Sequence, residues 1–208
     1  MGYEMFVENV IKEIREQKKK DVHFPEVDLY ADQAATYLTG ILSRSTLSEE
    51  DVFTKDMIAN YRKSGLLPKM DGKKYTADHL AFLLMVNSLK DNFSVKEMQR
   101  ILAPLLENYD SDFDEKYDLS QVLAVMNKLQ QEEEELMAKR LSQKVSAIKE
   151  SLESQGLYDD SAIEISLLIL SLAARADANR NLARKLARTY FPDAAAEEKA
   201  KRKELKNR

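Results

Sequence analysis

The residues best suited to chemistry lie between Thr54 and Pro104. Nine cations fall there (Lys55, Arg62, Lys63, Lys69, Lys73, Lys74, Lys90, Lys96 and Arg100) against five acids, Asp56, Asp71, Asp78, Asp91 and Glu97. The stretch is therefore +4 inside a chain whose net charge is −4. A local positive field of this kind is what the phosphates of a duplex require. The same composition also describes an ordinary solvated helix face, so both readings stay open at this point.

Other constellations fall short of a mechanism. Asp110-x-Asp112-x-Asp114 has the opening of a calcium loop, but that loop needs Gly at its sixth position and Glu at its twelfth, where Glu115 and Gln121 stand. The only imidazoles are His23 and His79. His79 follows Asp78 in the first turn of a helix and reads as a surface or capping residue. With no cysteine in the chain, disulfides, Cys-ligated zinc, Fe–S clusters and thiol catalysis are excluded. No glycine-rich phosphate loop, H-E-x-x-H or G-x-S-x-G occurs. The carboxylates are too numerous and too solvated to single out a catalytic pair. The expectation is a protein that is not an enzyme and takes neither metal nor cofactor.

The elements that must position the cations are helices. Five glycines and four prolines in 208 residues are too few for the turns of an all-β protein. Tyr3, Phe6, Val7, Val10, Ile11 and Ile14 form one stripe of a helix over 3–20 that ends on Lys18, Lys19 and Lys20. A second helix spans Tyr30 to Leu42, and 43–53 reads as a loop or a single turn. Thr54 caps a helix over Lys55 to Ser64, with Gly65 at its left-handed stop. Asp71-Gly72 predicts a short β-ribbon from Met70 to Tyr75. Thr76 caps a helix that is apolar nearly all round from Leu80 to Leu89. Ser94-x-x-Glu97 is a capping box for a helix reaching Asn108, and 110–115 is an acidic connector. A long helix then runs from Leu119 to Leu152, with Gly156 closing it. Ser161-x-x-Glu164 opens a last helix that Pro192 stops, and Asp193 to Arg208 fray. The domains expected are 1–110, 111–192 and a charged tail over 193–208.

Tyr61, Gly65-Leu66-Leu67-Pro68, Lys74-Tyr75, the apolar helix, Phe93-Ser94, Glu97 and Ile101-Leu102 occur in that order. In this succession Thr54–Leu102 resembles the DNA-binding half of the MerR-type winged helix-turn-helix regulators. The resemblance implies an all-α, MerR-like core with a minimal β-wing, the N-terminal helix packed on it and a helical region following. The helix ending at Gly65 becomes the recognition helix and 69–75 the wing. Lys73 and Lys74 face phosphates, Tyr75 packs the wing, and Tyr61, Arg62 and Lys63 lie at the DNA face. Lys55 and Asn60 are placed for base contact. Ala59 stands where those regulators carry an arginine. Asp28-Leu29-Tyr30-Ala31-Asp32-Gln33, Thr54-Lys55-Asp56-Met57-Ile58-Ala59-Asn60-Tyr61 and the Gly-Leu-Leu-Pro turn are similar, over about residues 25–105, to a bacterial family known as domain of unknown function 1836.

These resemblances imply a transcriptional regulator or DNA-associated protein with double-stranded DNA as partner. The alternative is a helical protein-interaction or ligand-sensing module that keeps the winged fold without DNA contact; no effector is specified. MerR-type proteins pair through a long helix after the winged domain, so a homodimer through 118–190 is expected. The competing arrangement folds the Ile163–Ala174 helix back over the Leu119–Leu152 seam, turning at Gly156-Leu157-Tyr158. Glu4 and Glu8 are unlike a signal peptide, and the most apolar stretch, Ile163 to Ala174, is far short of a span, so no membrane contact and a cytoplasmic location are expected.

Overall fold

A computed structural model describes residues 3–16, 23–42, 53–70, 72–109, 119–157 and 161–193. Seven helices account for most of them: α1 (Tyr3–Glu16), α2 (Ala31–Leu42), α3 (Lys55–Lys63), α4 (Ala77–Leu89), α5 (Val95–Tyr109), α6 (Leu119–Ser154) and α7 (Ser161–Tyr190). The fold is all-α. No strand occurs among the described residues. The one β-type pairing among them is an isolated antiparallel bridge between Leu29 and Tyr75. Lys18–Lys20, the 43–53 loop as far as Val52, Asp71, the 110–115 connector with its calcium-like aspartates, Tyr158, and the tail from residue 194 lie outside the described residues.

The ribbon expected across Asp71-Gly72 is replaced by a longer-range pairing. Leu29 and Tyr75 exchange both backbone hydrogen bonds, at 2.9 and 2.7 Å. Tyr75 is thereby satisfied by the segment preceding α2 rather than by residues across the turn.

The chain groups into two compact units that do not follow sequence order. The first contains α1, α6 from Gln121, and α7 to Ala178. Here the N-terminal helix departs from expectation. Val7 joins Ile148 and Leu152 of α6 and Leu168 of α7 in one buried cluster, flanked by Tyr3, Ile11, Leu141, Val145 and Ile163. The stripe on α1 packs against the C-terminal part of the longer α6 stripe, from Leu141 to Leu152. A Lys149–Glu4 ion pair lies at this contact. The seam from Leu141 to Leu152 is consequently covered within the chain, by α1 and by α7 folding back.

The second unit contains α2 to Gly40, α3, α4, α5 and α7 from Asn179. α4 is its centre: every residue from His79 to Val86 is buried. Leu38, Ile58 and Leu66 are fully enclosed in the same unit.

Helix ends follow local chemistry. Ser94 and Glu97 form the expected reciprocal cap: the Ser94 N–H donates to Glu97 Oε2 at 2.9 Å and the Glu97 N–H to Ser94 Oγ at 3.4 Å. The Ser94 backbone and hydroxyl hold the Glu97 carboxyl below its ordinary range. Ser161, expected as a cap, is instead the first residue of α7.

Candidate nucleic-acid interface

α3 begins at Thr54, whose hydroxyl accepts from the Met57 N–H at 3.2 Å. Ile58 faces inward and is fully buried. At 3.6 residues per turn, Lys55, Ala59, Arg62 and Lys63 fall at i, i+4, i+7 and i+8, one stripe that runs beside the buried Ile58 side of the helix. The three cations are exposed. Asn60 is exposed too but lies about a third of a turn away, so the two residues expected at bases do not share a face. Ala59 leaves the middle of the basic face without a charge.

The helix stops as its glycine dictates. Gly65 has φ +65. Its N–H donates to the Arg62 carbonyl at 3.0 Å and the Leu66 N–H to the Tyr61 carbonyl at 3.1 Å, the double bond pattern of a Schellman ending. Leu66, Leu67 and Pro68 turn straight into the core, and the Gln99 amide donates to the Ser64 carbonyl. A Cβ at Gly65 would meet nothing closer than the Gln99 side chain at 4.0 Å, so the penalty for substitution is conformational rather than steric. Gly65→Val is expected to lower stability by about 1–2 kcal/mol, read as a lower urea midpoint at constant slope. An unchanged midpoint would mean that α3 does not depend on this stop.

Two cations follow Gly72. Lys73 and Lys74 are both exposed. Lys74 Nζ sits 5.5 Å from the ring centroid of Tyr30, a cation–π contact that orients it. An Arg62 guanidinium nitrogen lies 4.0 Å from Met70 Sδ, bringing the 69–75 segment against the end of α3. Tyr61 is half-buried rather than projecting. Its hydroxyl pKa is raised, by burial first, with Lys90 opposing and Asp91 reinforcing the shift. It therefore points toward the α4–α5 turn and away from the lysine face.

Other polar features were not visible in the sequence. The acidic-Leu-Tyr-x-Asp-Gln stretch shapes the entry to α2: Gln33 Oε1 accepts from the Tyr30 N–H at 2.9 Å, and Leu29 supplies the bridge to Tyr75. A shallow cleft of about 470 Å³ opens beside it, lined by Pro25, Leu29, Asp32, Gln33, Thr36 and Tyr37. At the α4–α5 turn, Arg180 Nε donates to Asn92 Oδ1 at 3.3 Å and Arg184 Nε to the Asn92 carbonyl at 3.1 Å.

His79, expected at the surface or as a cap, is a cap buried in the core, at 3% exposure. Its Nδ1 accepts from the Thr76 N–H at 3.2 Å and lies 2.7 Å from the Thr76 hydroxyl. Because a backbone N–H can only donate, the neutral ring carries its proton on Nε2. Burial is the main cause of its lowered pKa, opposed by the Pro68 and Lys69 backbone and by the Asp78 and Asp28 charges. Among the described residues, no three of His, Asp and Glu are grouped to hold a metal ion, and no helix is long and apolar enough to cross a membrane.

No curated protein and no solved structure matches the chain. One family model does: the one described as Domain of unknown function (DUF1836) aligns with residues 18–122, just over half of the 208. That span takes in the cleft, the bridge, the basic helix α3 and the buried α4, and the chain belongs to the DUF1836 family.

Proposed function

We propose that the protein is a DNA-associated transcriptional regulator whose residues 54–102 act as a MerR-like winged helix-turn-helix. One observation carries the reading: Lys55, Arg62 and Lys63 lie exposed along one stripe of α3, beside the line of buried Ile58. The left-handed stop at Gly65 and the exposed Lys73 and Lys74 beyond it supply the parts of a small wing without a strand ladder. Lys55, Arg62, Lys63, Lys73 and Lys74 approach phosphates. Asn60, lying off their face, reads a base edge only if the helix rolls toward that side. Tyr61 supports the turn from behind.

Five phosphate contacts make binding weak and strongly salt-dependent, with a slope of roughly −0.9 per contact in a plot of log K against log salt. Fluorescence anisotropy on mixed-sequence duplexes over a salt series tests this. Replacing Lys73 and Lys74 together by alanine is expected to weaken binding about equally on all sequences and to reduce the slope by roughly two. Absence of binding to any duplex at low salt ends the reading.

A second reading, a ligand-sensing or protein-interaction module without DNA contact, is favoured by Ala59 at the centre of the basic face and by the cleft at Pro25–Tyr37. Saturable binding of a small molecule or protein by a chain that ignores duplex DNA would select it.

A further inference from the structure

A second cationic surface lies in the same unit as α3, formed where α5 and the end of α7 meet. α5 supplies its first row. Met98 and Leu102 are buried at 2% and 3% exposure and give this helix its core side. Gln99 reaches the Ser64 carbonyl at the end of α3 on one flank. Glu97 marks the other flank: its lowered carboxyl is held first by the Ser94 backbone and hydroxyl, and after these by the Arg100 and Arg184 charges. At 3.6 residues per turn, Lys96 and Arg100 fill the outer arc between Gln99 and Glu97. α7 supplies the second row. Arg180, Arg184 and Arg188 recur every four residues, one line along its C-terminal part. Arg180 and Arg184 seat that line on the α4–α5 turn, their Nε atoms donating to the side-chain and backbone oxygens of Asn92. Arg100 meets Asp193 at 3.5 Å, so the chain leaving α7 stays beside α5. Glu97 and Asp193 are the acids within these two rows of five cations.

We infer that this α5–α7 face is a second phosphate-binding surface, gripping the backbone of the duplex that α3 engages. The inference rests on the DNA reading above and adds to its five contacts. Two observations choose the occupant. Gln99 and Ser64 join the face to the end of α3, where Arg62 and Lys63 stand, so the cations continue from one surface to the other within a single unit. Four of the five are arginines, whose planar fork matches phosphate oxygens. The bond to Asn92 uses one of the five N–H donors that a guanidinium carries, so Arg184 is oriented without being spent. Arg180 and Arg184 are the positioning residues; Lys96 and Arg188, both exposed, are the outer phosphate contacts. The arginine row lies beyond residue 122, where the family match ends, so this grip belongs to the C-terminal helix and not to the matched domain.

Lys96→Ala/Arg188→Ala, checked for wild-type helicity and urea midpoint, is compared with the wild type by fluorescence anisotropy on duplexes over a salt series. Binding is expected to weaken about equally on all sequences, with a slope of log K against log salt shallower by roughly two. Adding Lys73→Ala and Lys74→Ala is expected to bring the change to roughly four, as separate contacts to one duplex should. Lys96→Arg/Arg188→Lys keeps both charges and is expected to keep the wild-type slope. Lys96→Gln/Arg188→Gln takes the place of the alanine pair if alanine shifts the midpoint. A wild-type slope in the neutralised variant overturns the inference and leaves the winged reading standing. An equal loss of slope in the charge-retaining pair also overturns it, because the effect is then structural. So does polyglutamate that binds the wild type but not the neutralised variant while the duplex slope is unchanged, which gives the face to an acidic protein. A wild type that binds no duplex at low salt ends the winged reading, and this inference with it.

Discussion

Phe82→Ala is expected to destabilise the protein by about 3–5 kcal/mol, the largest loss from any single truncation proposed for this chain. Phe82 is fully buried in the middle of α4 and is the largest fully buried side chain among the described residues. Its ring meets Tyr109 edge to face, with centroids 6.5 Å apart and planes at 83°, so truncation removes an oriented aromatic contact as well as buried area. The surrounding helix is ill-suited to collapse into the hole. Every neighbour from His79 to Val86 is itself buried, and a shift that fills one void opens another. Urea unfolding of wild type and variant, followed by helical circular dichroism, gives the measurement. Val27→Ala is the control, because Val27 is 68% exposed and its truncation is expected to stay within about 0.5 kcal/mol. A Phe82→Ala loss as small as the control's would mean that α4 is not the centre of its unit.

That α4 is central was legible before any coordinates, because a helix apolar on all sides has no face to give to water. The two glycine stops were legible for a similar reason. Gly65 and Gly156 each end a periodic run, and both adopt positive φ with the same pair of backbone bonds: Gly156 to the Glu153 carbonyl and Leu157 to the Leu152 carbonyl repeat the ending of α3. These are local decisions. The basic face of α3 belongs with them, since i, i+7 and i+8 spacing is enough to put Lys55, Arg62 and Lys63 on one side.

What the sequence withheld was the identity of partners. The stripe on α1 announces a buried face but not the surface that buries it, and α6 and α7 provide it in place of the helices nearer in sequence. The hairpin dipeptide at Asp71-Gly72 suggests pairing across the turn, whereas Tyr75 finds its hydrogen bonds at Leu29. Lys74 reads as a phosphate ligand from its position, but its contact with the Tyr30 ring comes from a residue far upstream. Arg180 and Arg184 look like solvated helix surface until Asn92 is found beside them. In each case the missing information is a contact at long sequence separation, on which periodicity and capping rules are silent.

His79 joins the local and the long-range, and it makes stability depend on pH. The Thr76-x-x-His79 spacing is that of a capping box in which an imidazole takes the place of the usual Glu or Gln. Nδ1 serves as the acceptor for the Thr76 N–H, so it must be unprotonated. Protonation would set two donors against each other and place a charge in the core, where the Tyr75 ring centroid lies 6.0 Å from that of His79. The charges that bear on the ring are those of Asp78 and Asp28, and both favour protonation, but burial outweighs them and the folded-state pKa is lowered. The sign follows. A group that binds its proton less readily when folded contributes stability that is intact above its unfolded value, near 6.5, and is lost as pH falls below it. Within that window the loss approaches about 1.4 kcal/mol per pH unit, the limit for one proton. The lowered carboxyl of Glu97 adds its own acid loss, which begins only below the ordinary glutamate range. Urea midpoints between pH 7.5 and 5 are expected to fall in the wild type and to stay nearly level in His79→Gln, whose amide oxygen can accept the same N–H without titrating. A wild-type midpoint flat across that range would mean that the ring is not buried as the neutral cap, and an equal fall in His79→Gln would assign the titration to another group.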